Sequence, residues 1–460
     1  MRTRTLVLVT TVAAALLSSA PTASAAPAKY PDDFNGDGYR DIAVGSPWAQ
    51  IGSKRQAGHV SVLYGSASGT STSLPFAVHQ GRVGVPGAAE AGDEFGQVVA
   101  SADLDRDGYA DLVAGAPSET VGTRTQQGAV SVVWGSSAGL NQGASISNKK
   151  PTAYGHFGSA LTAGDFTGDG APDLVVAEGE GLRLYRGPFA RTGAPKSSSY
   201  IGLGGKGALR LVAGKINKNA YVDLVVVNET NTRVLKGTSA GLSMTAKTMP
   251  GSSNSSYGGR TPATVGDFDG DGYGDVVVSD GWAYGNGVFA AGKVTVAYGS
   301  ATGLSTTRAT KTITQKTEEV PGTPEEQDHF GYSVSAGDVN GDGRADLLVG
   351  VPGENGVTLL KGSSTGLTGV KSRWLDANSS GMPSEYTQFF GHAVRLTDTN
   401  RDQRADAVIA DPSVNGYDGA LLYVPSDGHQ LTGTGASIVY PPRTESTEPG
   451  LHNFGMILAD

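Results

Sequence analysis

One short acidic segment recurs seven times along these 460 residues, and no other feature constrains the fold as tightly. The copies begin at Asp33, Asp103, Asp165, Lys215, Asp267, Asp338 and Asp398, about 50 to 70 residues apart. That spacing holds roughly four short strands with their turns, which is one propeller blade. The fullest copy opens with Phe330-Gly331, passes through Asp338, Asn340, Asp342 and Asp346, and closes with Gly350-Val351-Pro352. After each acidic loop comes a β-branched-rich run such as Asp111-Leu-Val-Ala or Asp275-Val-Val-Val, bounded by glycine or proline. Such runs read as buried strands. A third strand follows, for example Val60 to Tyr64, alternating apolar and polar as a half-buried strand does. Glycine, at 68 residues, supplies the turns without the three-residue period of collagen.

The two ends complement each other. The first unit enters directly at Asp33 with no Phe-Gly strand before it, and the chain finishes on Phe454-Gly455 with no acidic loop after it. The sequence therefore predicts an all-β, seven-bladed propeller of four-stranded antiparallel blades, with the C-terminal strand completing blade 1. Closure removes the free sheet edges that a linear array must protect. Residues 1–25 read as a signal peptide: Arg2 and Arg4, an apolar stretch too short to span a bilayer, then Ala23-Ser24-Ala25. Residues 26–460 form one domain in this reading, secreted and without a membrane span.

The loops follow D-x-[DN]-x-D-G-x-x-D. Positions 1, 3 and 5 place side-chain oxygens on one side of a tight turn, and the glycine lets the backbone reverse. The position-7 carbonyl then turns inward, and the position-9 aspartate closes the shell. Several oxygens at flexible distances suit calcium better than magnesium. An EF-hand is excluded, because position 12 is Val44 or Ala114 inside a strand. Complete sets are Asp33, Asn35, Asp37, Asp41 with the Tyr39 carbonyl, and Asp103, Asp105, Asp107, Asp111 with Tyr109. Equally complete are Asp267, Asp269, Asp271, Asp275 with Tyr273, and Asp338, Asn340, Asp342, Asp346 with Arg344. The third loop has Thr167 among Asp165, Asp169, Asp173 and the Ala171 carbonyl. The seventh keeps Asp398, Asn400, Asp402, Asp406 and the Arg404 carbonyl but has Gln403 for the turn glycine. Lys215 heads the fourth loop and repels a cation, so that loop is expected to be metal-free.

The Phe-Gly strand, the acidic loop and the Gly-x-Pro after it (Gly45-Ser-Pro47, Gly115-Ala-Pro117, Gly350-Val-Pro352) resemble the FG-GAP repeats of integrin α-chain propellers. The resemblance implies calcium in hairpin loops on a lower face. It also implies ligand binding on an upper face, where second-to-third-strand loops and blade links emerge. Integrin-type adhesion does not follow from the fold alone.

Those upper loops are long in blades 1, 2 and 5 and carry Trp48, Arg55, Arg124, Trp282 and Tyr284, aromatics beside cations that suit carbohydrate or peptide capture. The expected partner is an extracellular protein or glycan, bound by a monomer. With 44 acidic against 35 basic residues, nucleic acid is disfavoured. No cysteine is present, which removes thiolate catalysis and disulfides. Gly-x-Ser-x-Gly occurs at Ser137, Ser239 and Ser364, but always at one repeat position, so these read as hairpin turns rather than nucleophile elbows. His156, His329 and His392 flank Phe-Gly pairs, which repeat position explains. A calcium-binding recognition module is the first reading. A hydrolase, esterase or polysaccharide lyase acting from the propeller surface is the alternative.

Overall fold

The computed structural model describes residues 27–71, 76–204, 207–243, 247–249, 261–285, 287–382, 388–442 and 452–459. The predicted leader, residues 1–25, lies outside them. Seven four-stranded antiparallel sheets are present, with one extra two-stranded hairpin at Gly237–Thr238 and Gly241–Leu242. Among the described residues helix is confined to one turn at Pro352–Glu354 and one at Val414–Tyr417. The protein is a seven-bladed β-propeller.

Blade 1 shows the closure. Its strands run Phe76–Val78, His59–Leu63, Ile42–Ser46 and then Ile457–Leu458 from the far end of the chain. Val44 pairs with Leu458 and Gly45 with Ile457. Blades 2 to 7 each place the strand before the acidic loop innermost, and in blades 2, 3, 6 and 7 it follows a Phe-Gly, for example Val98–Ala102 in blade 2 and Val334–Gly337 in blade 6.

Two apolar faces must be buried per sheet, and each blade can do so only against its neighbours. The core accordingly divides into seven clusters, each drawn from two adjacent blades. One joins Phe268, Val277 and Val294 of blade 5 to Phe330, Leu347 and Leu360 of blade 6. Another joins Val44 and Leu63 of blade 1 to Val408 and Leu421 of blade 7, with Phe454 and Leu458 between them.

The repeat's glycines are explained at the same junctions. A Cβ on Gly45, Gly115 or Gly350 would come within 2.1, 2.4 or 2.1 Å of the carbonyl of Gly96, Gly158 or Gly391 in the next blade. The glycine of Gly-x-Pro thus faces the glycine of the following Phe-Gly. The Phe amide also docks across the junction: Phe95, Phe157, Phe330 and Phe454 donate to Ala57, Gln127, Ala291 and Asp418 at 3.0, 2.9, 3.1 and 3.0 Å. Farther out, Tyr64, Tyr298 and Tyr423 each lie where the turn glycine of the next blade (Gly139, Gly366, Gly69) would otherwise carry its Cβ.

Deleting residues 454–460 removes the docked phenylalanine and the closing strand together. The expected outcome is a large fall in melting temperature and association through the opened edge. Gly419→Ala, whose Cβ would sit 2.2 Å from the Phe454 carbonyl, is expected to destabilise by about 2 kcal/mol or more. A truncated chain that melts cooperatively at the original temperature contradicts closure.

Candidate functional site

The acidic loops connect the innermost strand of each blade to its second strand, so all seven open on one face. Backbone amides organise them before any metal is considered. The first aspartate accepts from the amides four and six positions into the loop. Gly36 and Gly38 donate to Asp33 at 2.7 and 2.9 Å, and Gly341 and Gly343 to Asp338 at 2.8 and 2.8 Å. This turn needs a left-handed residue at position 6, where Gly38, Gly108 and Gly272 have φ of 85°, 96° and 82°. Gln403 takes the same conformation at φ 70° and still donates to Asp398 at 2.9 Å, at a strain cost of about 1 kcal/mol.

The ninth-position aspartate is a structural hub as well as a predicted ligand. Asp41 accepts from Phe34 at 2.8 Å and from Gly65, beyond the third strand, at 2.9 Å. Asp111 does the same with Leu104 and Gly135, and Asp275 with Phe268 and Gly299. Loop-to-loop bonds then run round the face. Ala110, Val222, Gly274, Ala345 and Ala405 donate to the first-position carbonyls of the preceding loops, Asp33, Asp165, Lys215, Asp267 and Asp338.

Two loops bring three carboxylates together, with one oxygen from each within 4.8 Å of the others: Asp103, Asp105 and Asp111, and Asp267, Asp269 and Asp275. The first, sixth and seventh loops have asparagine at position 3 and so carry one carboxylate fewer. Burial, reinforced by neighbouring acids, pushes Asp41 and Asp111 up to about 8 and Asp275 to about 7. A buried oxygen lacking a partner points the same way, Asp105 Oδ1 in the second loop. Crowded buried carboxylates with an orphaned acceptor fit a hard divalent cation.

The fourth loop satisfies itself without one. The Lys215 ammonium donates to the Ala220 carbonyl at 3.4 Å, and Asn217 Nδ2 donates to Asp223 at 2.6 Å. Three further cations escaped sequence reasoning because they come from distant turns or the third strand. Arg191 donates to Asp105 at 2.8 Å and also to Asp107. Arg308 pairs with Asp269, and Lys361 with Asp346.

The opposite face opens on a cavity of about 1440 Å³ running into the central channel. Trp48 and Trp282 stand on its wall, whereas Arg55, Arg124 and Tyr284 lie on loops outside it. Trp48 is 42 % exposed, while Trp282 is half-buried against His329, with ring centroids 4.4 Å apart. The contact continues through Tyr332, 6.0 Å from His329, to His392, 5.0 Å from Tyr332. This aromatic arc was not foreseen, yet a signal for it exists. Residues on either side of Phe-Gly line the mouth: Glu94 and Gln97, His156 and Ser159, His329 and Tyr332, Phe389 and His392, Asn453 and Met456. Those before the phenylalanine are held left-handed in Glu94, His156, His329 and Asn453, at φ of 59°, 45°, 59° and 48°. Their amides donate across the junction to Gln56, Gln126, Ala290 and Tyr417, so the docking of the Phe-Gly segment fixes this conformation. The Gly-x-Ser-x-Gly segments are turns: Ser136, Thr238 and Ser363 each donate to the carbonyl three residues on, at 2.7 Å.

Architecture and repeat chemistry together define an FG-GAP propeller. The FG-GAP repeat model matches residues 31–63, 95–133, 157–201 and 330–366, and an FG-GAP-like repeat model matches 215–278. The chain carries FG-GAP repeats, and its seven blades are consistent with an integrin-like propeller. It is 34 % identical over 146 residues to rat phosphatidylinositol-glycan-specific phospholipase D, covering 32 % of this chain and 17 % of that protein. It is 30 % identical over 165 residues to Drosophila melanogaster integrin alpha-PS5 (34 % and 15 %) and 33 % over 182 to Xenopus laevis integrin alpha-5 (36 % and 16 %). Each match takes in under a fifth of the relative's length. No helix among the described residues is long and apolar enough to cross a membrane.

The carboxylate shifts set a pH test. An acid whose folded pKa is raised from 3.8 holds its proton better in the folded state, so its stabilisation is lost as pH rises towards 8. Buried His59, lowered to about 3, acts oppositely, and only below its ordinary value of 6.5. Between about pH 6.5 and 8 the metal-free protein is therefore expected to lose a few degrees of melting temperature as pH rises, and saturating calcium to abolish that slope. Equal slopes with and without calcium contradict the assignment.

Proposed function

We propose that this protein is a secreted, calcium-stabilised recognition module that captures a glycan or protein segment on its upper face. The aromatic arc Trp282–His329–Tyr332–His392, with Trp48 across the same mouth, carries the reading. Flat rings set at a cavity rim bury large area at low entropic cost, and the Glu94, Gln97 and Asn453 side chains around them offer hydrogen bonds. Calcium belongs to the other face in this reading. It is held by the acidic loops, most firmly the first, second and fifth, where it neutralises buried carboxylates and stiffens the ring. The seventh loop, and the third with Thr167, are weaker sites. The lipase activity named for one set of relatives is not carried over by so short a match.

One observation favours the enzymatic alternative. Tyr332 lies between two imidazoles at the cavity mouth, and burial lowers His329, keeping it neutral near pH 7. A neutral imidazole beside a phenol can take one proton and return another, the need of a lyase or hydrolase working on a polymer.

The two faces separate experimentally. On a glycan and protein-ligand array, the double variant Trp48→Ala, Trp282→Ala is expected to lose binding at least tenfold while shifting stability little at Trp48 and by about 1–2 kcal/mol at half-buried Trp282. Asp107→Ala or Asp271→Ala is expected to reduce calcium content and melting temperature but keep ligand affinity at saturating calcium. Normal binding by the tryptophan variant overturns the upper-face assignment. Turnover of a polysaccharide or ester that Tyr332→Phe abolishes, without loss of binding, establishes the enzyme reading instead.

A further inference from the structure

The acidic loops share a ligand pattern but differ in what stands behind them. The residue just before the amide that caps the ninth-position aspartate is Tyr64 in blade 1, Trp134 in blade 2 and Tyr298 in blade 5. In blade 6 it is Lys361, beside the Gly362 amide that donates to Asp346 at 3.0 Å. An aromatic ring brings no net charge to the loop. Lysine brings a full one.

The Lys361 ammonium lies 2.9 Å from Asp346 Oδ2, with side-chain exposures of 13 % and 2 %. It also donates to the His429 carbonyl at 3.4 Å, so protein groups hold it from two sides. In blades 1, 2 and 5 the equivalent oxygen takes the neutral amide of Phe34, Leu104 or Phe268, at 2.8, 2.8 and 3.1 Å, and in blade 6 the ammonium is added to the corresponding Val339 amide. Arg191 and Arg308, which pair with the second and fifth loops, differ in kind. They bond third- and fifth-position carboxylates rather than the ninth and are 46 % and 34 % exposed, although Arg308 is also held by the Thr365 carbonyl at 2.8 Å and stacked on Tyr298. Lys361 is the more enclosed, at 13 %. Its position resembles that of Lys215, whose ammonium also turns into its own loop.

We infer that the sixth loop is filled by the Lys361 ammonium and takes no calcium, although Asp338, Asn340, Asp342 and Asp346 make a complete ligand set. The inference rests on the reading that the sibling loops hold calcium. A divalent ion entering this loop meets a fixed positive charge on one of its own ligands. Repulsion between charges a few ångströms apart at a partly buried site weakens binding by about 100-fold or more. The blade keeps its geometry, because the ammonium supplies the charge that the metal supplies elsewhere.

Bound ions are counted by native mass spectrometry on the full chain titrated with calcium chloride, with isothermal titration for affinity. Asp342→Ala is expected to leave the number of bound ions unchanged. Lys361→Gln, which keeps an N–H donor for Asp346, is expected to gain one ion, and adding Asp342→Ala to it to remove that ion again. Loss of an ion in Asp342→Ala alone overturns the inference while leaving the calcium reading intact. So does a Lys361→Gln protein that melts cooperatively yet binds no extra ion. If Lys361→Gln fails to fold, the Asp342→Ala count alone decides. A wild-type protein that binds no calcium at any loop overturns the calcium reading and this inference with it.

Discussion

The ring depends on a close backbone contact between blades, made in five of them at a Phe-Gly dipeptide. Phe95-Gly96 and Phe157-Gly158 each lie against two glycines of the blade before, Gly45 and Gly58 or Gly115 and Gly128. Phe330-Gly331 and Phe454-Gly455 instead meet Gly292 or Gly419, with Ser279 or Ala410 in the other place. All four Phe amides donate to a carbonyl of the blade before. Side chains at either glycine would enter carbonyl oxygens at about 2 Å, so the blades could not approach. Close approach is what lets one apolar cluster serve two blades, and seven such clusters make up the core. Each buried phenylalanine is worth roughly 1.5–3 kcal/mol by area alone, and deleting one costs about 3–5 kcal/mol once the cavity is counted. Without cysteine, the ring has no covalent fastening to fall back on.

The acidic face carries a second ring of contacts that is electrostatically uneasy alone. Its amide-to-carbonyl bonds pass from loop to loop whatever the side chains are, which is why the Lys215 loop keeps its place in the series. Its carboxylates are packed for their backbone partners and pay for that packing in desolvation. Cations relieve it, whether they are the protein's own arginines and lysines or a bound metal. The degenerate loops are thus alternative solutions to one charge problem rather than failures of the repeat.

Much of this was legible in the chain. Blade number, strand order and closure followed from the spacing of the acidic segments and the complementary ends, because a period repeated that often leaves few architectures. The Asp-rich loops were legible too, since their carboxylates are local in sequence. The partners of those loops were not: Arg191 lies 86 residues from Asp105, and Arg308 lies 39 from Asp269. The double role of the ninth aspartate was also hidden, as its amide donors sit beyond another strand. On the upper face Trp48 and Trp282 were found because long loops draw attention. Tyr332 and His392 were passed over because a residue beside Phe-Gly looks like repeat filler. Only the folded ring shows that these positions converge on one mouth.

The C-terminal Phe-Gly docks as the internal ones do. Its amide bonds Asp418 at 3.0 Å, as Phe95 bonds Ala57 at 3.0 Å. Residue-resolved hydrogen exchange on the native protein tests this directly. The account predicts that the Phe454 amide exchanges as slowly as those of Phe95, Phe157 and Phe330, through the same cooperative opening of the ring. A Phe454 amide that exchanges orders of magnitude faster than the internal three, like a frayed terminus, contradicts it.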